Sequence, residues 1–293
     1  MGHLLGVTLL WSFSFSLIGV YLAGQVDSYF SAMTRVALAC LVFLPFLRPR
    51  LLNVRHRLGL AGIGAVQLGL MYVCYYQSFE LISVPEILLF TIFTPIYIAL
   101  LEDLLARRFH PFQLAMALLA VAGAALIRFE TPGEDFWTGF LMVQGANLCF
   151  AVGQIAYRHL MPRVQKVSAL GVFGWFYIGA LAVVVPTWLV LGDSSRTAET
   201  PLQWGVLLWL GVAASGAGYF LWNQGARRVS AATLAIMNNL LIPAGLLVNV
   251  TLWNRDEDLT RLALGGAVMV VALLLSEWSR RRGGASEQKT TRT

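Results

Sequence analysis

Between Leu4 and Trp278 the chain falls into ten successive apolar stretches separated by short polar connectors. Each is close to the length that crosses a bilayer as one α-helix. Hydrocarbon offers no partner to a backbone N–H or C=O, so a run of roughly 20 apolar residues must satisfy its own backbone as a helix. The pattern predicts an all-α integral membrane protein with transmembrane spans, one to ten in chain order, at 3–24, 29–47, 58–79, 83–102, 111–129, 136–157, 168–191, 202–226, 231–253 and 259–279. Hydrophobic residues make up 58% of the chain and charged ones 12%. Soluble domains average about 45–50% and about 25%, which excludes a soluble globular enzyme. Cys40, Cys74 and Cys149 all lie in apolar stretches and read as small core residues, with no disulfide framework. The first stretch follows only Met1-Gly2-His3, without a basic flank or a small-x-small cleavage site, and reads as an uncleaved span. The polar end after Trp278 reads as a disordered cytoplasmic tail.

One hairpin occurs twice. Tyr72–Glu102 is an apolar helix, a break at Ser83-Val84-Pro85 and a second apolar helix containing Pro95; Tyr219–Asn249 repeats the plan, with Pro243 placed 148 residues after Pro95. Gly6-x4-Trp11-Ser12-Phe13 in span one is matched by Gly145-x4-Phe150-Ala151-Val152 in span six, an offset of 139. The halves are therefore 1–130 and 131–280, with a tail at 281–293. Five spans per half is an odd number, so the second copy enters the membrane the other way up. The result is an inverted repeat, which places a binding site between the halves and suits alternating access. With the N-terminus in the cytoplasm, 16 Lys and Arg residues fall on inner connectors and the tail, against 4 on the outer side (Arg128, Arg196, Arg255 and Arg261). This positive-inside pattern predicts a multi-pass protein of the cytoplasmic (inner) membrane with both termini inside. It also accounts for the net charge of +6 without a nucleic-acid partner.

The side chains that lipid penalises are the candidates for chemistry. A charge at mid-bilayer costs from about 3 to well over 10 kcal/mol, and Arg35 lies well inside span two. It either snorkels outward or pairs with Asp27 or Glu86 to fix packing, or it is a cation that binds a substrate carboxylate. Glu86 is either the cap of span four, since Ser83-Val84-Pro85-Glu86 has capping-box spacing with Pro in the first turn, or an acid meeting a substrate amine or a proton. Uncharged polar residues collect in spans three (Tyr72, Tyr75, Tyr76), four (Thr91, Thr94), six (Asn147, Gln154), eight (Tyr219, Asn223) and nine (Asn238, Asn239). Tyr72 and Tyr76, Tyr219 and Asn223, and Asn147 and Gln154 are spaced to share a helix face. Any one amide can serve as an interhelical hydrogen bond; the set reads as a polar path lining a substrate site. Pro95 and Pro243 are candidate hinges, each removing a backbone bond and freeing a carbonyl.

The 5 + 5 repeat, Trp11-Ser12, Arg35 early in span two, the Ser83–Pro95 hairpin with Glu102 at its inner end, and Gly-rich spans five and ten together resemble the EamA-type transporters of the drug/metabolite transporter superfamily. One departure is that span nine ends in Leu252-Trp253-Asn254 where span four ends in Glu102. The resemblance implies a ten-helix bundle that exports small metabolites such as amino acids or related amines and carboxylates. Its partners would be the small-molecule substrate and the bilayer. Monomer or homodimer, and proton coupling or exchange, stay open. The alternative is a lipid-handling or other non-transport membrane protein. No Walker A sequence, H-E-x-x-H or buried Ser/His pair is present, so an enzyme, a cofactor and a metal site are not expected.

Overall fold

The computed structural model describes residues 2–105, 134–164, 168–229 and 231–253, with scattered positions between 107 and 122 and between 260 and 279. Expected spans five and ten fall largely outside the described residues, and the tail at 281–293 wholly so. Among the described residues all regular structure is helical. Seven helices are long and apolar enough to cross a bilayer: Gly2–Tyr21, Ser28–Phe46, Val54–Ser78, Val84–Leu105, Asp135–Val164, Ala169–Leu191 and Pro201–Ala226. These are spans one to four and six to eight. Span nine forms the helix Ala231–Trp253.

The helix starts are fixed by residues that the sequence makes legible. Asp27 caps span two by accepting from the Phe30 N–H at 2.7 Å. Glu86 Oε2 accepts from Ser83 N at 2.8 Å and from Ser83 Oγ at 2.9 Å, which holds the first turn of span four around Pro85. Thr200 and Gln203 form the equivalent box at the start of span eight.

Two features inside the spans were not legible. Spans three and eight are each α-helical at both ends and π-helical in between, over Ala65–Leu70 and Trp209–Ala217. A π stretch leaves backbone carbonyls off the regular ladder and is commonly found at functional sites. Span four changes at Thr91–Phe93 to a tight 3-10 turn, after which Pro95 is the second residue of the helix Thr94–Leu105.

The closest packings join span one to nine and eight, three to six and seven, two to seven and eight, and four to six and nine. Exchanging one with six, two with seven, three with eight and four with nine turns this set of pairings into itself. Two halves related by a two-fold axis across the bundle pack in this way. Spans three and seven cross backbone to backbone. A Cβ on Gly64 would stand 1.8 Å from Phe176 O, and one on Gly179 would stand 1.8 Å from Ala61 O.

Candidate functional site

Between the halves lies a cavity with about 670 Å³ of empty space, its open mouth included. Its wall comes from spans one (Trp11, Ser14, Phe15), two (Arg35), three (Met71, Tyr72, Tyr75), four (Thr91, Thr94), six (Ala146, Asn147, Phe150), eight (Tyr219) and nine (Asn238, Leu241). Corresponding positions of the repeat meet across it. Trp11 faces Phe150 with ring centroids 6.4 Å apart, and Tyr72 meets Tyr219 edge to face at 6.1 Å.

The π stretch of span eight organises one side. Three of its carbonyls accept from side chains of other spans. Trp11 Nε1 donates to Ala214 O at 2.8 Å, and the Tyr177 hydroxyl donates to Ser215 O at 2.7 Å and to Gly216 O at 3.1 Å. The Ser215 hydroxyl then meets Tyr72 OH at 2.7 Å and accepts from Arg35 Nε at 2.5 Å.

Arg35 is 3% exposed. Besides Ser215, its Nη1 reaches Tyr76 OH at 3.4 Å, and its Cζ lies 4.5 Å from the centroid of the Tyr72 ring, a cation–π contact. Among the described residues no carboxylate stands within ion-pair distance. Pairing with Asp27 or Glu86 is not observed: Asp27 spends its oxygens on Phe30 N and, at 3.2 Å, on Asp193 N, while Glu86 closes its capping box. A guanidinium carries five N–H groups, and the bonds to Ser215 and Tyr76 use two of them. Three N–H groups remain, on a side chain that helps to line the cavity.

The opposite wall is built on the break in span four. The Thr94 N–H turns to Thr91 O, a tight i→i−3 bond, and Phe90 O accepts instead from Asn147 Nδ2 at 2.8 Å. Asn147 Oδ1 takes the Thr94 hydroxyl at 3.1 Å, and Asn147 Nδ2 also reaches Gln144 Oε1 at 3.3 Å.

Of the residues singled out in the sequence, Arg35, Tyr72, Tyr75, Thr91, Thr94, Asn147, Tyr219 and Asn238 line the cavity. Tyr76 stands behind Arg35, and Glu86 caps span four away from the lining. Gln154 lies two turns beyond Asn147 and accepts from Trp222 Nε1 at 3.5 Å; Asn223 donates back to Tyr219 O at 3.0 Å within its own helix. Asn239 faces elsewhere, both its amide atoms buried without a partner among the described residues. Pro243 lies inside the span-nine helix, which continues through it. Ser14, Phe15, Met71, Phe150 and Ser215 were missed as site residues. Ser14 and Phe15 stand three and four positions after Trp11, so the shared helix face was the signal that finds them.

A model of the EamA-like transporter family matches residues 2–129 and again 137–277. The chain is 52% identical over 282 residues to a Pseudomonas aeruginosa protein named "Probable biotin transporter", covering 96% of this chain and 99% of that protein. It is 45% identical over 293 residues to the "Biotin transporter" of Escherichia coli K12, covering 99% and 96%. The Salmonella typhimurium "Biotin transporter" is 44% identical over 292 residues, again covering 99% and 96%. A protein of known crystal structure superposes with a TM-score of 0.67 at 19% identity over 95% of this chain and 97% of that one, a likeness of fold.

Proposed function

The chain belongs to the EamA-like transporter family, and from that premise we propose that it carries biotin across the cytoplasmic membrane, gripping the vitamin's carboxylate with Arg35. The observation that carries this reading is a buried cation with no protein carboxylate beside it among the described residues, opening onto an aromatic-walled cavity. A buried charge of this kind calls for a counter-charge. Biotin supplies one, on a flexible apolar arm suited to the faces of Trp11, Tyr72 and Tyr219. Two parallel bonds between guanidinium and carboxylate are among the strongest available, and they fix orientation as well as affinity. The names of the relatives favour biotin over the amino-acid substrate expected from the resemblance alone, and they give no support to export as the direction.

Transport proceeds by alternating access of two inverted halves, 1–130 and 131–280, with both termini in the cytoplasm, as the excess of Lys and Arg on one set of connectors favours. Glu86, spent on a helix cap away from the lining, favours a carrier that follows the substrate gradient over one that moves a proton. Reconstituted protein should take up radiolabelled biotin, and an imposed pH gradient should leave the rate unchanged. Arg35→Gln should weaken biotin binding roughly thirtyfold or more, because losing one partner of a buried charged pair costs about 2–5 kcal/mol. Biotin amide, which lacks the acid, should fail to compete with biotin for the wild-type protein. Equal competition by the amide, or normal uptake by a folded Arg35→Gln protein, would refute the assignment.

A further inference from the structure

The polar groups around the cavity divide into those already bonded within the protein and those still open. Thr91 Oγ1 donates to Leu88 O at 2.6 Å, Thr94 Oγ1 to Asn147 Oδ1 at 3.1 Å, and Asn147 Nδ2 to Phe90 O at 2.8 Å. The Tyr72 hydroxyl is engaged with Ser215. Among the described residues, two lining groups outside the Arg35 fork are buried without a partner: Ser14 Oγ and Asn238 Nδ2. A buried amide N–H left unbonded is costly, and native interiors rarely tolerate it without a reason.

Asn238 and Arg35 enter the same cavity from different spans, nine and two. Thr8 Oγ1 reaches Met237 O at 3.4 Å, which ties span nine beside Asn238 to span one. Arg35 is tied to Ser215, next to the Ala214 carbonyl that Trp11 holds. Trp11, Tyr72 and Tyr219 share the lining, with Trp11 and Tyr219 ring centroids 4.9 Å apart. The cavity thus has a cationic pole at Arg35, aromatic faces and an amide pole at Asn238.

We propose that Asn238 is the specificity-determining residue of the second pole and reads a cyclic urea, with Nδ2–H donating to the urea carbonyl and Oδ1 accepting from a ring N–H. This deepens the biotin reading of the same cavity and rests on it. A side-chain amide and the edge of a cyclic urea are complementary in two parallel bonds. Because the urea is symmetric about its carbonyl, either orientation of the amide finds a matching N–H. A site that hydrogen-bonds one feature of its ligand discriminates strongly against molecules lacking that feature, since its own polar group is then stranded.

The test uses full-length protein in proteoliposomes and radiolabelled biotin. The competitors are dethiobiotin (urea and acid, no sulfur), lipoate (acid and sulfur ring, no urea) and biotin amide (urea, no acid). Asn238→Ala should weaken biotin and dethiobiotin alike by about tenfold, as the loss of a buried hydrogen-bonding partner does. It should leave lipoate unchanged and keep the rejection of biotin amide, so the preference for biotin over lipoate falls by the same factor. Should the alanine protein not reach the membrane, Asn238→Leu, near in size and apolar, gives the same readout. A folded variant that keeps the full preference for biotin over lipoate overturns the urea subsite alone. A wild-type protein that neither binds nor carries biotin overturns the transport reading and the subsite together.

Discussion

At the scale of single residues, the described neighbours hold Arg35 without neutralising it. Ser215 Oγ is the pivot, bonded to Arg35 Nε at 2.5 Å and to Tyr72 OH at 2.7 Å. Ser215→Ala should leave the fold intact and raise the KM for biotin about tenfold, since a hydrogen bond to a charged group contributes about 1.5–3 kcal/mol; initial uptake rates over a range of biotin concentrations check it. Trp11→Phe keeps the ring stack but strands the Ala214 carbonyl. It should lower stability by about 1–3 kcal/mol, read as the melting temperature of the purified protein. Arg35 was legible because a cation inside an apolar stretch is conspicuous in any sequence. Ser215 was not, because a serine beside glycines in an apolar helix reads as close packing until its neighbours are known. Asn223 shows what spacing leaves out: four positions after Tyr219 it shares that residue's helix face, yet its amide donates back to Tyr219 O. Helical spacing tells which residues share a face and not which way that face turns.

At the scale of elements, the bilayer's demands made most of the fold legible. Apart from span six, which runs on to Val164 from an expected end at 157, each described span lies within a few residues of its expected limits, because the apolar runs and the Asp27, Ser83 and Thr200 caps are written locally. The π stretches at Ala65–Leu70 and Trp209–Ala217 have no such local signature, and side chains from spans one and seven meet the carbonyls of the second. The crossing of spans three and seven is likewise a tertiary fact. Gly64→Ala and Gly179→Ala each drive a methyl into a backbone carbonyl that has no flexible end to move. Each should cost about 1–3 kcal/mol, the range for overpacking. Gly62→Ala, where nothing stands within 4 Å, should be neutral. Thermal unfolding of the three variants in one detergent settles the comparison.

At the scale of the whole molecule, the main packings run from one half to the other, so each half buries its faces against its twin. A chain cut between 130 and 131 should therefore yield two fragments that are degraded when expressed singly and restore biotin uptake when expressed together. Stable accumulation of 1–130 alone would contradict that interdependence. The widened turns have a consequence for chain length. A π stretch holds one residue more per hydrogen-bonded ring than the α-helix on either side, so between Pro201 and Ala226 the chain carries one residue that the span itself does not require. Removing Val212 would let the ladder close as plain α-helix and leave the flanking faces where they are. The cost falls on the carbonyls of Ala214, Ser215 and Gly216, which would turn inward to their own helix and leave Trp11 and Tyr177 unsupported. The shortened protein should insert and fold yet carry no biotin, which would make that one surplus residue the difference between a helix that spans and a helix that serves a site.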